Sequence, residues 1–350
     1  MRFDRYSDII LAGSCSALAD ESEGAEGTGT VAVAVSVPTI TDEGGVPVKT
    51  PIVALIYDFD KTLSPRDMEE YSFMPGVGVE PADFWQMCAD FAREHQMDGI
   101  LTYMYLMQKM ARGRMDLNRE AMRRLGAAVE FFPGVETWFD RINQIGRENG
   151  VTVEHYIISS GLQEIIRGSA IGDKFKAVFA ASFCYDESDH PVWASSAVNY
   201  TSKTQYLFRI NKGILDVTND RDLNAFTPEY MRRVPFSNMI YVGDGLTDVP
   251  CMKMTRQKGG YSIAVHAPGK TELADDMLLQ GRADFSVEAD YSRGSEIEEI
   301  VAMLMRRIRA SHELSLRHAE QVQRAHARRG NHVPLDIPMR GGMEDEDAVE

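Results

Sequence analysis

Two carboxylates one residue apart, Asp58 and Asp60, close an apolar run that reads VALIYDFDKTLSP from Val53 to Pro65. In a strand, residues i and i+2 point to one face, so both acids aim the same way while Phe59 turns into the fold. Charged side chains are rarely buried without partners, because stripping water from a carboxylate is costly. A strand that delivers two of them side by side therefore needs something to neutralise them. In an open parallel sheet the ligand crevice lies at the carboxyl ends of the strands. There the pair can hold a hard cation such as Mg2+, which prefers oxygen ligands and keeps water and phosphate in its shell. One carboxylate can also attack phosphorus to form an aspartyl-phosphate while the other handles the leaving-group proton. Taken alone the string is ambiguous, since D-x-D-x-T also arises by chance.

Three further segments have similar character. HYIISSG places Ser159 and Ser160 at the tip of an apolar run, followed by Gly161 and a helical stretch. Hydroxyls and backbone N–H groups at a helix start suit a phosphate, although Ser and Gly equally make ordinary N-caps. In NYTSKTQYLF, Lys203 opens a predicted helix, where a cation meets the positive end of the macrodipole. Such a lysine is either solvated or held by an anion, and the rival Lys212 sits at the helix's favourable far end. MIYVGDGLTDVP runs out of an apolar strand into Asp244, with Asp248 four residues later. Gly243 and Gly245 permit a tight bend and close approach to a ligand.

These residues need a scaffold that brings strand ends together. From Pro51 onward, strand-like runs (IVALIYDFD, VTVEHYIISSG, KAVFAASFCYD, MIYVGDG, YSIAVHA and ADFSV) alternate with helical segments. That rhythm predicts an α/β fold with a largely parallel sheet covered on both faces. Between Pro65 and Gly150 it stops, and PADFWQMCADFAREHQ, ILTYMYLMQKMARG and DLNREAMRRLGAAVEFF all read as helices. The Met-rich YMYLMQKM reads as the core of this helical insertion and RGRMDLNREAMRR as a solvated face. FCYDESDHPVWASS reads as a hairpin turning at Asp186–His190. The expected division is an N-terminal extension over 1–50, an α/β core over 51–64 and 150–305, a helical cap over 65–149, and a C-terminal helix with an acidic tail over 306–350. ADESEGAEGTGT and GGMEDEDAVE read as disordered, and VAVAVSVP as an added edge strand.

A net charge of −16 argues against non-specific nucleic-acid binding and against an anionic membrane surface. An anionic substrate would need a metal or placed Lys and Arg to overcome this field locally. The four cysteines, Cys15, Cys88, Cys184 and Cys251, are scattered without paired spacing. They read as reduced cytosolic thiols rather than a disulfide framework or a zinc site. IILAGSCSAL loosely resembles the end of a lipoprotein signal, but its apolar run is short, Asp4 and Asp8 sit just upstream and the Leu falls one place off the usual spacing. No stretch approaches the roughly 20 apolar residues of a membrane span, so the expected location is cytoplasmic.

Together and in this order, the four segments resemble the motifs of the haloacid dehalogenase superfamily of phosphohydrolases. The first is Asp58-Phe59-Asp60-Lys61-Thr62, the second Ser159, the third Lys203 and the fourth Gly243 to Asp248; the resemblance covers roughly Pro51 to Ala302. It implies a Rossmann-like three-layer core with a helical cap inserted after the first motif, as in phosphoserine-phosphatase-like members. It further implies Asp58 as nucleophile and Asp60 as general acid and base, with Thr62, Ser159 and Lys203 on the phosphoryl oxygens. Mg2+ would sit between the Asp58 carboxylate, the Asp60 backbone carbonyl and the Asp244 carboxylate, and Asp248 would orient Lys203 or a metal-bound water. The implied substrate is a small-molecule phosphate ester. The second acid argues against a dehalogenase, whose halide leaving group needs no proton, and the absence of membrane segments argues against an ion pump. A phosphomutase or phosphotransferase would keep all four motifs, and a non-catalytic regulatory or binding protein is the alternative from another class. Arg66, Asp67, Glu69 and Glu70 follow the first motif and could line the entrance, while Arg112 and Arg114 could meet a second anionic group. Neither oligomeric state nor substrate identity is legible.

Overall fold

The computed structural model describes residues 40–41, 47–48 and 50–329. Strands β1 (Ile40–Thr41) and β2 (Pro47–Val48) pair antiparallel in a ladder of their own, Ile40 opposite Val48. The acidic Gly-rich stretch, the VAVAVSVP run, Cys15 and the acidic tail lie outside the described residues.

The apolar run before the first acid is β3 (Ile52–Tyr57), and Val53 to Tyr57 are fully buried. Its side chains alternate as a strand requires. Val53, Leu55 and Tyr57 join one core cluster, and Ala54 and Ile56 join the other on the opposite face. Six more strands complete the sheet: β4 (Thr152–Leu162), β5 (Ala177–Tyr185), β6 (Pro191–Ser196), β7 (Met239–Gly243), β8 (Tyr261–His266) and β9 (Phe285–Glu288). The order is β6-β5-β4-β3-β7-β8-β9, parallel throughout except for the antiparallel β5–β6 hairpin. That hairpin turns where expected, with the Asp186 N–H donating to the His190 carbonyl at 2.9 Å.

β3 is central, and its register fixes the site. Leu55 lies opposite His155 of β4 on one side and Ile240 of β7 on the other. The chain leaves β3 toward β4 and later returns to β7 on the far side, so the switch point of the topology falls at the end of β3.

Four helices follow β3: α1 (Phe73–Val77), α2 (Pro81–His95), α3 (Gly99–Ala111) and α4 (Arg119–Gly126). Tyr103, Met104, Leu106 and Met107 of α3 are buried, so the Met-rich stretch is core. Asp98 caps α3 by accepting from the N–H groups of Ile100 and Leu101, and its second oxygen accepts from Asn199 at 3.1 Å. This ties the helical layer to the loop before Lys203. α5 (Val135–Glu148) falls within the 65–149 interval read as the insertion, yet it lies against the sheet. Trp138 donates to the Tyr57 hydroxyl at 2.9 Å and Phe139 packs edge-on to His155. An amphipathic helix carries the same signal whether its stripe meets a sheet or another helix, so periodicity could not separate the two.

Beyond β4 come α6 (Gln163–Gly168), α7 (Lys203–Lys212), α8 (Asp220–Asn224), α9 (Val249–Gln257), α10 (Glu272–Leu279) and α11 (Glu296–Arg328). α5 and α11 share the core of Tyr57, while α7 and α9 share that of Ile56. α11 buries its early half, Ile297 to Ile308, as its apolar stripe predicts, and only Ala319 beyond it.

Candidate active site

Asp58 continues the β3 ladder by one bond, its N–H donating to the Val242 carbonyl of β7 at 3.0 Å. The strand thus holds the first acid's backbone rigidly. Its Oδ1 accepts from the Phe59 N–H at 2.7 Å, and Phe59 is fully buried as the alternation requires. The carbonyl of Phe59 then accepts from the N–H groups of Thr62, Leu63 and Ser64, curling the chain into a tight turn. Lys61 sits in the left-handed region at φ 57°, a conformation costly for a residue with a Cβ. Its ammonium pairs with Asp67 at 2.8 Å.

The turn aims Asp60 back over the sheet's edge. Its Oδ1 accepts from the Met68 N–H at 2.8 Å. A Cβ on Gly161 would stand 2.8 Å from Asp60 Oδ2, so only glycine lets β4 pass this close. Ser159, nearly buried, lies two residues earlier and accepts from the Gly161 N–H at 3.1 Å. Thr62 is fully buried and its hydroxyl donates to Asp244 Oδ1 at 3.2 Å, so that proton is directed at an acid of the fourth motif.

Lys203 opens α7 and has no exposed surface. Its Nζ lies 2.8 Å from Asp58 Oδ2 and 2.8 Å from Asp248 Oδ1. Two carboxylates thus offset both its burial and its place at a helix N-terminus. Asp248 also accepts from the Tyr241 hydroxyl at 2.7 Å and the Gly245 N–H at 3.3 Å. A Cβ on Gly243 would meet the Asp248 carboxyl carbon at 2.6 Å, which explains the glycine at the end of β7.

The acids, hydroxyls and lysine of the four motifs therefore converge from the ends of β3 and β7, from β4 and from the start of α7. Burial pushes the Asp58 carboxyl up to about 6, opposed by Lys203 and reinforced by Asp248. Burial, with Asp248 and Asp58 beside it, raises Asp244 to about 8. Asp60 is held well above the carboxylate range by burial first, then by Glu69, Asp67 and Asp58. One oxygen each of Asp58, Asp244 and Asp248 lies within 4.8 Å of the others. Among the described residues Lys203 is the one ammonium paired with these carboxylates, meeting two of the three, so the cluster carries excess negative charge in a place water hardly reaches. An all-oxygen, anionic donor set of this kind fits a small hard cation. Asp248 already accepts three bonds, which leaves Asp58 and Asp244 as the better-placed donors.

A cavity of about 270 Å3 opens from Asp60 beneath α2 and α3. Tyr103 of α3 closes one wall, donating to the Ser160 carbonyl at 2.8 Å.

A family model for haloacid dehalogenase-like hydrolases matches residues 55–253, more than half of the 350-residue chain. The chain belongs to that family. A Borreliella burgdorferi protein described as uncharacterised is 28% identical over 273 residues, spanning 70% of this chain and 94% of its own. Among solved structures, a HAD family hydrolase from Salmonella enterica serovar Typhi aligns at 15% identity over 68% of each chain, with a TM-score of 0.45. A phosphoserine phosphatase captured as a phospho-aspartyl intermediate analogue aligns at 15% identity over 72% of this chain and 98% of its own, with a TM-score of 0.43.

Several residues of this haloacid dehalogenase-like hydrolase lie elsewhere than their sequence context suggested. Arg112 and Arg114 line a separate groove of about 750 Å3 with His190 of the hairpin, away from the motif residues. Arg66 lies over the Tyr71 ring and pairs with Glu130. Glu69, within a charged run, is 2% exposed, and burial followed by the Asp67 charge raises it to about 8. Tyr241 gave no signal of its own, because within MIYVG it reads as one more apolar strand residue. Its position seven residues before Asp248 across a glycine turn was the available clue.

Proposed function

We propose that this hydrolase cleaves small-molecule phosphomonoesters through a covalent phosphoryl-Asp58 intermediate and depends on Mg2+. The observation that carries the reading is the division of labour between the two acids of the first motif. Asp58 is clamped at the strand tip beside a buried ammonium, and Asp60 faces the cavity in an environment that favours its protonated form.

Asp58 attacks phosphorus, and the bond to the ester oxygen breaks as the new oxygen–phosphorus bond forms. Asp60 gives its proton to that departing oxygen, so the alcohol leaves neutral. Asp60, now a carboxylate, takes a proton from water as the water attacks phosphorus. Phosphate departs and Asp58 is regenerated. Lys203 holds the nucleophile's orientation and, with Ser159, offers donors to the phosphoryl oxygens as charge shifts onto them, while Thr62, whose hydroxyl donates to Asp244, positions that carboxylate rather than the phosphoryl group. Asp248 positions Lys203. The carboxylates of Asp58 and Asp244 and the Asp60 backbone carbonyl would hold Mg2+, which when bound offsets the repulsion between carboxylate and phosphate.

The test is hydrolysis of an aryl phosphate with Mg2+ and with EDTA, by the wild type and by Asp58→Asn. Metal-dependent turnover that drops to background in Asp58→Asn is expected. Equal turnover by the variant, or turnover unaffected by EDTA, would contradict the proposal.

A further inference from the structure

We propose that the ester's organic part is a small ammonium group with no second anion, seated against Glu69 beside Trp85 and Tyr103. This rests on the phosphatase reading, because the cavity takes the leaving group only if Asp60 is the acid that protonates it.

The cavity lies where that group must go. Asp60 lines its inner end, and Asp67, Glu69, Trp85, Cys88 and Tyr103 are among its walls. At about 270 Å3 it falls just below the roughly 300–1,000 Å3 typical of pockets for larger ligands. It therefore suits a leaving group of a few heavy atoms.

Its chemistry is one-sided. Among the described residues lining it none is Lys, Arg or His, whereas three are acids. Lys61, the neighbouring cation, is already paired with Asp67. Glu69 is 2% exposed and its Oε1 has no hydrogen-bond partner. Buried polar atoms are nearly always satisfied, so an orphaned carboxylate oxygen in the wall of a cavity calls for a ligand that supplies the missing donor. An ammonium supplies it and also restores the charged form of a carboxyl that burial otherwise keeps protonated. The Trp85 and Tyr103 rings touch edge to face, at 73° with centroids 6.0 Å apart, so they form one continuous aromatic wall of the kind that attracts cations. Trp85 Nε1 is likewise buried and unpartnered, and leaves a donor for one neutral oxygen on the same ligand. A carboxylate or second phosphate would meet the acids with no counter-charge. The basic residues that could have received it, Arg112 and Arg114, line the separate groove and not this cavity.

The experiment compares kcat/KM for aminoethyl phosphate, its trimethylated analogue, propyl phosphate, glycerol phosphate and 3-phosphoglycerate on the wild type, with an aryl phosphate alongside. A preference of about tenfold or more for either ammonium ester over propyl phosphate is expected, with 3-phosphoglycerate poorest. In Glu69→Gln that ratio should collapse to within about threefold, mainly through KM. Binding of aminoethyl phosphate to Asp58→Asn, followed by tryptophan fluorescence, gives the same comparison without turnover. Glycerol or propyl phosphate matching the ammonium esters, preference for 3-phosphoglycerate, or an unchanged ratio in Glu69→Gln would overturn the inference while aryl phosphate turnover upholds the phosphatase reading. Loss of all turnover, aryl phosphate included, would refute that reading and this one with it.

Discussion

Lys203 Nζ is 2.8 Å from Asp58 Oδ2 and 2.8 Å from Asp248 Oδ1, and none of the side chain is exposed. One ammonium thus locks the acid after β3 to the turn after β7, which makes it a structural cross-brace as well as a site residue. Removing one partner of a buried ion network leaves the others uncompensated. Lys203→Met should therefore destabilise the protein by about 3–5 kcal/mol. Lys203→Arg should not rescue it, because a planar guanidinium does not fit a space shaped for a point charge. Urea denaturation measures both, and a Lys203→Met variant as stable as the wild type would show that the pairs contribute little.

Gly161 lets β4 pass Asp60. A Cβ there would lie 2.8 Å from Asp60 Oδ2 and 2.1 Å from Met68 Cε. The methyl end of Met68 can move aside, whereas Asp60 is held by the Met68 N–H at 2.8 Å. Gly161→Ala should therefore lower kcat by about 10–100-fold through displacement of the acid, with a small change in Tm. Steady-state kinetics beside a thermal melt would test this, and unchanged kcat would show that Asp60 tolerates the shift.

His155 is buried in β4 between the Tyr57 hydroxyl at 3.1 Å and Asn143 at 3.2 Å. Burial lowers it to about 3, opposed by Asp140. An unfolded histidine titrates near 6.5, so below that value the unfolded chain binds a proton that the folded one refuses. Stability from His155 is therefore fully present above about 6.5 and lost as pH falls toward 3. The carboxyls raised by burial at the site act in the opposite sense over part of this range, so the informative quantity is the difference between variant and wild type. Relative to wild type, His155→Gln should gain up to about 1.4 kcal/mol per pH unit as pH falls from 6 to 4.5. Denaturant titrations across that range would show it. A difference independent of pH would mean that the imidazole is not buried neutral.

The site was more legible than the architecture around it. Asp58, Asp60, Lys203, Asp244 and Asp248 each stand just past a strand end or at a helix start, Ser159 lies within the last residues of β4, and strand ends on adjacent parallel strands meet in space. Lys203 was marked by an electrostatic anomaly, a cation at the wrong end of a helix, and two carboxylates resolve it. What the sequence hid was direction. Thr62 turns its hydroxyl to Asp244, a contact across 182 residues that no local pattern encodes. Glu69 sits in a run of charges that normally faces water, yet it is buried in the wall of a cavity that residues of α2 and α3 share. α5 packs on the sheet although its periodicity suits a helical layer equally well.

The most direct test of the central claim is detection of the phosphoryl group on Asp58. In Asp60→Asn an aryl phosphate can still phosphorylate Asp58, because its leaving group needs no proton, while hydrolysis of the intermediate lacks its base. Acid-quenched Asp60→Asn incubated with aryl phosphate and Mg2+ should carry one hydroxylamine-labile phosphoryl group, located by mass spectrometry to the peptide containing Asp58. The adduct should be missing when Asp58 is also replaced by Asn. Release of phosphate without any adduct, or an adduct on another residue, would contradict the account.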